Sequence, residues 1–189
     1  MMDKLTLAIE FAARAHDGMC RKKDKSPYIL HPLEAAAIVG TMTSDQDVIS
    51  AAVLHDVVED AGITIEAIEE NFGKRVRELV ETETEDKLAD LPPEKTWKIR
   101  KEESLKVLKN TKDVDVMKLW IGDKLANMRS FYRIWKVEGD SMWQTFNQKD
   151  PEQQFWYYST IAESTAALEK YSAWQEYNKL VKIVFGKDN

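Results

Sequence analysis

His31, His55, Asp56 and Asp123 are the residues whose types best suit chemistry in this chain. Two neutral imidazoles and two carboxylates make a mixed nitrogen and oxygen donor set that suits Mn²⁺, Fe²⁺ or Zn²⁺. Such a set leaves coordination positions for water and substrate, the mark of a catalytic rather than a structural ion. His55-Asp56 places two donors side by side at the end of the apolar run Val48 to Leu54. Asp123 lies within Leu119-Trp120-Ile121-Gly122-Asp123-Lys124-Leu125-Ala126, where an uncompensated carboxylate is costly. Either a bound cation or an ion pair with Lys124 or Arg129 would offset that cost, and the residues alone leave both open.

Glu59 and Asp60 follow His55 by about one helical turn, a step that brings Glu59 toward the donor face. A carboxylate there can act as general base toward a water or orient it. The plain alternative is a solvated helix end before Gly62, where acids oppose the helix dipole. Arg21-Lys22-Lys23-Asp24-Lys25 is a basic run close before His31. It is either a phosphate-binding segment or a solvated loop.

These residues need a scaffold, and the chain reads as helical throughout. Leu5, Ala8, Ile9, Ala12 and Ala13 recur at three- and four-residue steps, which predicts a helix over 3–17. A basic loop follows from Gly18 to Leu30, and His31-Pro32 opens a second helix. Ser44 and Asp45 are N-cap candidates for a third helix ending near His55-Asp56. Thr64 starts a short helix to Asn71, and another covers 74–84. Glu85 to Pro93 reads as an acidic loop, since Pro92-Pro93 forbids a continuous helix. A charged, mostly solvent-facing helix over 94–110 precedes a long apolar one capped by Asp113 and running from Val114 to Trp135. An aromatic-rich loop over 137–150 then leads to helices at 151–170 and 173–185. No segment alternates strongly enough to predict a sheet. The expectation is one all-α domain over 1–189, a bundle of about eight to ten helices.

Composition narrows the function class. With 43% hydrophobic and 32% charged residues in 189, the chain is an ordinary well-cored protein. No apolar run approaches the roughly 20 residues of a membrane span, and Met1-Met2-Asp3-Lys4 has no signal-peptide pattern. Cys20 is the single cysteine, so no internal disulfide forms and CxxC chemistry is excluded. A cytoplasmic setting with no membrane partner is expected. The net charge of −6 argues against a general nucleic-acid binder. No GxxxxGK[ST] loop and no nucleophilic Ser or Cys with a base partner is visible, which favours direct attack by water.

Five stretches carry a resemblance: Phe11-Ala12-Ala13-Arg14-Ala15-His16-Asp17-Gly18; Arg21-Lys22; Pro27-Tyr28-Ile29-Leu30-His31-Pro32; Ala52-Val53-Leu54-His55-Asp56-Val57-Val58-Glu59-Asp60; and Gly122-Asp123-Lys124-Leu125-Ala126-Asn127-Met128-Arg129. In this order they resemble the HD superfamily of metal-dependent phosphohydrolases, specifically RelA/SpoT-type hydrolase domains and stand-alone small alarmone hydrolases. The resemblance covers residues 3 to about 135. It implies that His31, His55, Asp56 and Asp123 hold one divalent metal, typically Mn²⁺. It implies that Glu59 and Asp60 assist hydrolysis, that Arg21, Lys22 and Asn127 lie near the nucleotide, and that Tyr28 is a pocket wall. The implied reaction removes the 3′-pyrophosphate of (p)ppGpp, releasing GDP or GTP and pyrophosphate, so the implied partner is a small nucleotide. The chain departs from the family at Gly122, where Ala is usual, and after about residue 137. Pro151 and Phe155 stand about where alarmone enzymes use Arg and Tyr, so Lys149 and Tyr157 are substitute substrate contacts. A phosphatase for another nucleotide (a nucleoside monophosphate or NADPH) and a non-catalytic nucleotide sensor are the alternatives.

Overall fold

The computed structural model describes residues 3–21, 25–85 and 90–187, and these contain ten α-helices, two short 3-10 helices and no strand. The expected all-α class holds. The helices are α1 (Lys4–Ala15), α2 (Leu30–Val39), α3 (Gln46–Leu54), α4 (Val57–Ala61), α5 (Ile65–Phe72), α6 (Lys74–Glu81), α7 (Pro93–Asn110), α8 (Val114–Glu138), α9 (Pro151–Ser164) and α10 (Ser172–Val184). Side-chain caps start several of them. Asp3, Asp45, Thr64, Asp113 and Asp150 each accept a hydrogen bond from a backbone N–H of the following turn, satisfying donors that a helix start leaves free.

Three of these helices position the donors. α8 packs along α2, α2 also packs on α3, and α1 covers α3 from another side. Small residues permit the closeness: Ala8, Ala12, Ala35, Ala51 and Ala52 are fully buried. The tightest point is Gly122 of α8. A Cβ there would meet Val39 Cγ2 at 2.4 Å and the Ala35 carbonyl at 3.0 Å. A glycine at 122 thus has a local cause in the α2–α8 contact.

Several boundaries differ from expectation. The third helix ends at Leu54, and a separate short α4 begins at Val57 and stops at Gly62, whose φ is +70°. Glu59 and Asp60 therefore sit in a five-residue helix of their own, in its first turn and also just before its Gly62 cap. α6 stops at Glu81 rather than 84, because the Thr82 and Thr84 hydroxyls donate to the Leu79 and Val80 carbonyls and turn the chain. α7 is not merely solvent-facing: Trp97, Leu105 and Leu108 are buried.

The long helix continues to Glu138, and 139–145 forms a 3-10 helix instead of a loop. Trp143 stacks on Phe185 and meets Phe131 edge-on, so this aromatic segment is core. α9 ends at Ser164, and a one-turn 3-10 helix, Ala166–Leu168, follows where a continuous helix to 170 was expected. On the far side of α8, Arg129 donates two bonds of 2.7 Å to Glu176 of α10 and one of 3.3 Å to Glu34 of α2.

Candidate metal centre

His31 enters from the first turn of α2, His55 caps α3, Asp56 precedes α4 and Asp123 lies mid-α8. The fold brings all four together. His31 Nε2 is 3.0 Å from Asp123 Oδ1 and 3.6 Å from Asp56 Oδ2. His55 Nε2 is 3.2 Å from Asp56 Oδ2 and 3.6 Å from Asp123 Oδ1. One donor atom each of His31, His55 and Asp123 lies within 4.8 Å of the others, and all three residues are buried.

The ring of His55 is oriented by a hydrogen bond. Nδ1–H donates to the Ala52 carbonyl at 2.8 Å, which leaves Nε2 facing the carboxylates. Burial pushes the imidazole pKa down, but Asp56 and Asp123 outweigh it and raise it, so Nε2 carries a proton that a bound cation would replace. That Nε2 is buried and has no hydrogen-bond partner. A divalent cation is the group that would satisfy an imidazole nitrogen aimed at two carboxylates, so the donor set fits a metal.

Charge coupling across the cluster is strong. Burial pushes the Asp56 carboxyl up, but the His55 and His31 imidazoles outweigh it and the net shift is downward. Burial likewise opposes ionisation of Asp123, yet Lys124 and the two imidazoles hold it well below the usual carboxylate range. Both carboxylates are thus ionised and ready to ligate.

The flanking residues converge on the same cluster. The Tyr28 hydroxyl lies 2.8 Å from Asp56 Oδ2 and 2.6 Å from Asp60 Oδ2, so one proton is shared between two carboxylates. Tyr28 is therefore more than a wall: it ties Asp56 to the neighbouring Asp60. Arg21 Nη2 donates to Asn127 Oδ1 at 3.1 Å, and Asn127 Nδ2 donates to Asp123 Oδ1 at 2.7 Å. A backbone bridge between Cys20 and Pro27 and the Arg21 N–H to Ser26 carbonyl bond hold Arg21 beside Tyr28. Glu59 is half-buried; burial first, then Glu85, Asp56 and Asp60, raise its carboxyl to about 7. A carboxyl poised there exchanges protons near neutral pH.

Other expected contacts sit elsewhere. Tyr157 is buried beneath the site, edge-on to Trp97, with its hydroxyl unpartnered. Lys149 is exposed in the segment between the 3-10 helix 139–145 and α9. Lys22 lies outside the described residues, as do 86–89 of the Glu85–Pro93 segment.

Three further groups lie near the site, and of their contacts only the Asp123–Lys124 pair was anticipated from the sequence. His16 is buried with both ring nitrogens unpartnered, its ring 4.9 Å from that of Tyr28. Glu85, four residues past the end of α6, accepts from Arg100, Lys101 and Ser104 of α7 at 2.7–2.8 Å. Glu83 and Lys124 form a buried pair beside Asp123. The ion pair considered as the alternative to metal ligation for Asp123 thus exists alongside the imidazole contacts. The signal for Lys124 was a second charge inside an apolar helical run; for Glu83 there was none.

This helical scaffold with an H…HD…D donor cluster defines a class. The family model for the HD domain matches residues 8–146, and the chain belongs to that family. Among curated relatives, the guanosine-3′,5′-bis(diphosphate) 3′-pyrophosphohydrolase MESH1 of Xenopus tropicalis is 40% identical over 130 residues, 67% of this chain and 68% of that protein. The enzyme of the same activity name from Aquifex aeolicus is 35% identical over 69% of this chain, but the chain spans only 18% of that relative's length. Among solved structures, a protein of Listeria monocytogenes EGD-e superposes with TM-score 0.72 at 31% identity, covering 82% of this chain and 99% of the other. A metazoan SpoT ortholog described as hydrolysing ppGpp superposes with TM-score 0.74 over 97% of this chain and 96% of its own; at 23% identity it speaks for the fold alone.

Proposed function

We propose that this chain is a Mn²⁺-dependent nucleotide pyrophosphohydrolase that removes the 3′-pyrophosphate of (p)ppGpp or a close relative. The carrying observation is the unpartnered, buried Nε2 of His55 facing His31, Asp56 and Asp123. The activity names of the MESH1 and Aquifex relatives supply the substrate class. Among the described residues no helix is long and apolar enough to cross a membrane, in keeping with a cytoplasmic small-molecule enzyme.

His31, His55, Asp56 and Asp123 would hold the ion, which supplies Lewis-acid polarisation of a phosphoryl oxygen. Glu59 accepts the proton from the attacking water, since its carboxyl is set near 7. Asp60, tied to Asp56 through Tyr28, orients that water. Water adds to phosphorus as the bond to the 3′ oxygen breaks; the products are a free 3′-hydroxyl and pyrophosphate. Arg21, Lys22 and Asn127 bind the nucleotide, and Arg21 offsets phosphate charge. Lys149 and Tyr157 are proposed to shape the remaining substrate contacts; the burial of Tyr157 gives it a supporting place behind Lys101.

A panel of nucleotides incubated with purified protein and Mn²⁺ tests the proposal. Pyrophosphate release from ppGpp is expected. Inorganic phosphate from NADPH or a nucleoside monophosphate instead would reassign the substrate, and binding without turnover would make the protein a sensor.

A further inference from the structure

The two oxygens of Asp123 have different partners. Oδ1 faces His31 and His55 and accepts from Asn127. Oδ2 is taken by the Lys124 ammonium. Lys124 is itself buried, lying 4.9 Å over the Trp120 ring, and its other carboxylate partner is Glu83 Oε2 at 3.1 Å. Glu83 reaches this place because α6 stops early; its side chain is 2% exposed and its Oε1 has no partner. A lone ammonium on Asp123 would compete with any cation for the same carboxylate. Glu83 neutralises that ammonium locally, so Lys124 fixes the geometry of Asp123 without adding net charge beside the ion.

We propose that Glu83 and Lys124 are positioning residues for the metal centre: Lys124 clamps Oδ2 so that Oδ1 faces the ion, and Glu83 cancels the charge of the clamp. The inference deepens the metal-centre reading above and rests on it. Outer partners of metal-binding carboxylates typically change affinity by about 10–100-fold when removed. A pair that served only to join the α6–α7 connection to α8 would change thermal stability and leave metal affinity alone.

The test is the Mn²⁺ dissociation constant of the full chain, read from the free-ion electron paramagnetic resonance signal, with circular dichroism as the control for folding. Glu83→Gln, which leaves the ammonium uncompensated, is expected to weaken Mn²⁺ binding by about tenfold or more. The double variant Glu83→Gln/Lys124→Gln removes the stray charge and keeps an amide donor near Oδ2; it is expected to recover at least about threefold of that loss. A Glu83→Gln protein that binds within about twofold of the wild type, or a double variant no tighter than the single, overturns the inference. If Glu83→Gln does not fold, the double variant carries the test, because it leaves no lone buried charge. Folded double protein that binds Mn²⁺ more than about twofold more weakly than wild type supports the inference; binding within about twofold, or failure to fold, overturns it. Absence of Mn²⁺ binding by the wild-type chain would instead remove the metal-centre reading, and this inference with it.

Discussion

Gly122→Ala is a small change with a calculable result. In a helix interior, Ala is favoured over Gly by about 1 kcal/mol. Against that gain stands a Cβ 2.4 Å from Val39 Cγ2 and 3.0 Å from the Ala35 carbonyl. Ordinary contact begins at 3.4 Å, so α2 and α8 must part by about 1 Å or Val39 must leave its rotamer. Val is stiff in a helix and Val39 is fully buried, so neither adjustment is easy. Overpacking of this kind costs about 1–3 kcal/mol, and the expected net is a loss of up to about 2 kcal/mol. The same parting would lengthen the 3.0 Å approach of His31 on α2 to Asp123 on α8, weakening Mn²⁺ binding as well. Urea unfolding gives the first quantity and Mn²⁺ titration the second. Val39→Ala should rescue Gly122→Ala, with a favourable coupling of about 1–2 kcal/mol, because it vacates the colliding methyl. A Gly122→Ala protein more stable than wild type, with no coupling to Val39, would refute the close-approach argument.

Other outcomes follow from the site. Because Glu59 titrates at about 7, kcat/KM should rise with pH through that value, and Glu59→Gln should lose most of the rate while keeping Mn²⁺. In chelator-treated buffer the native Glu59 holds a proton between its unfolded value of 4.5 and about 7 that the unfolded chain has lost. Stability should therefore fall across that window as pH rises, by about 3 kcal/mol in all, and Glu59→Gln should abolish this component in urea titrations at several pH values. Tyr28→Phe removes the proton shared by Asp56 and Asp60; such a charged hydrogen bond is worth about 1.5–3 kcal/mol, so kcat should drop at least about tenfold, and an unchanged kcat removes Tyr28 from the chemistry. Mn²⁺ at about 100 times its dissociation constant should raise the unfolding midpoint by about 5–10 °C over protein in EDTA, and Asp56→Ala should erase that rise in a calorimetric scan.

Three of the four clustered residues, His55, Asp56 and Asp123, were legible because they break a pattern. His55-Asp56 ends an apolar run, and Asp123 interrupts one, so both stood out as charges where water is absent. The caps at Asp45 and Asp113 were readable for the same reason of local chemistry. Other features depend on tertiary packing. The third helix stops near His55-Asp56 as expected, but only the structure shows that a separate five-residue helix then carries Glu59 and Asp60. Glu83 lies among exposed-looking acids, and nothing in its spacing marks it as the one turned inward. Tyr157 shows the reverse case: a Tyr in an aromatic cluster reads equally as pocket lining or as core, and only the structure shows α7 lying across it.

The Arg129 fork has a consequence for any attempt to exchange the part of the chain that diverges from its relatives. α10 belongs to that part, yet through Glu176 it grips the same arginine that holds Glu34, one turn along α2 from His31. A chimera that imports a relative's last helices while leaving Arg129 and Glu34 behind would strand a guanidinium and slacken the helix carrying a metal donor. The seat of the last helix and the placement of the helix carrying His31 are thus mechanically linked, and transplanting one requires transplanting the seam between them.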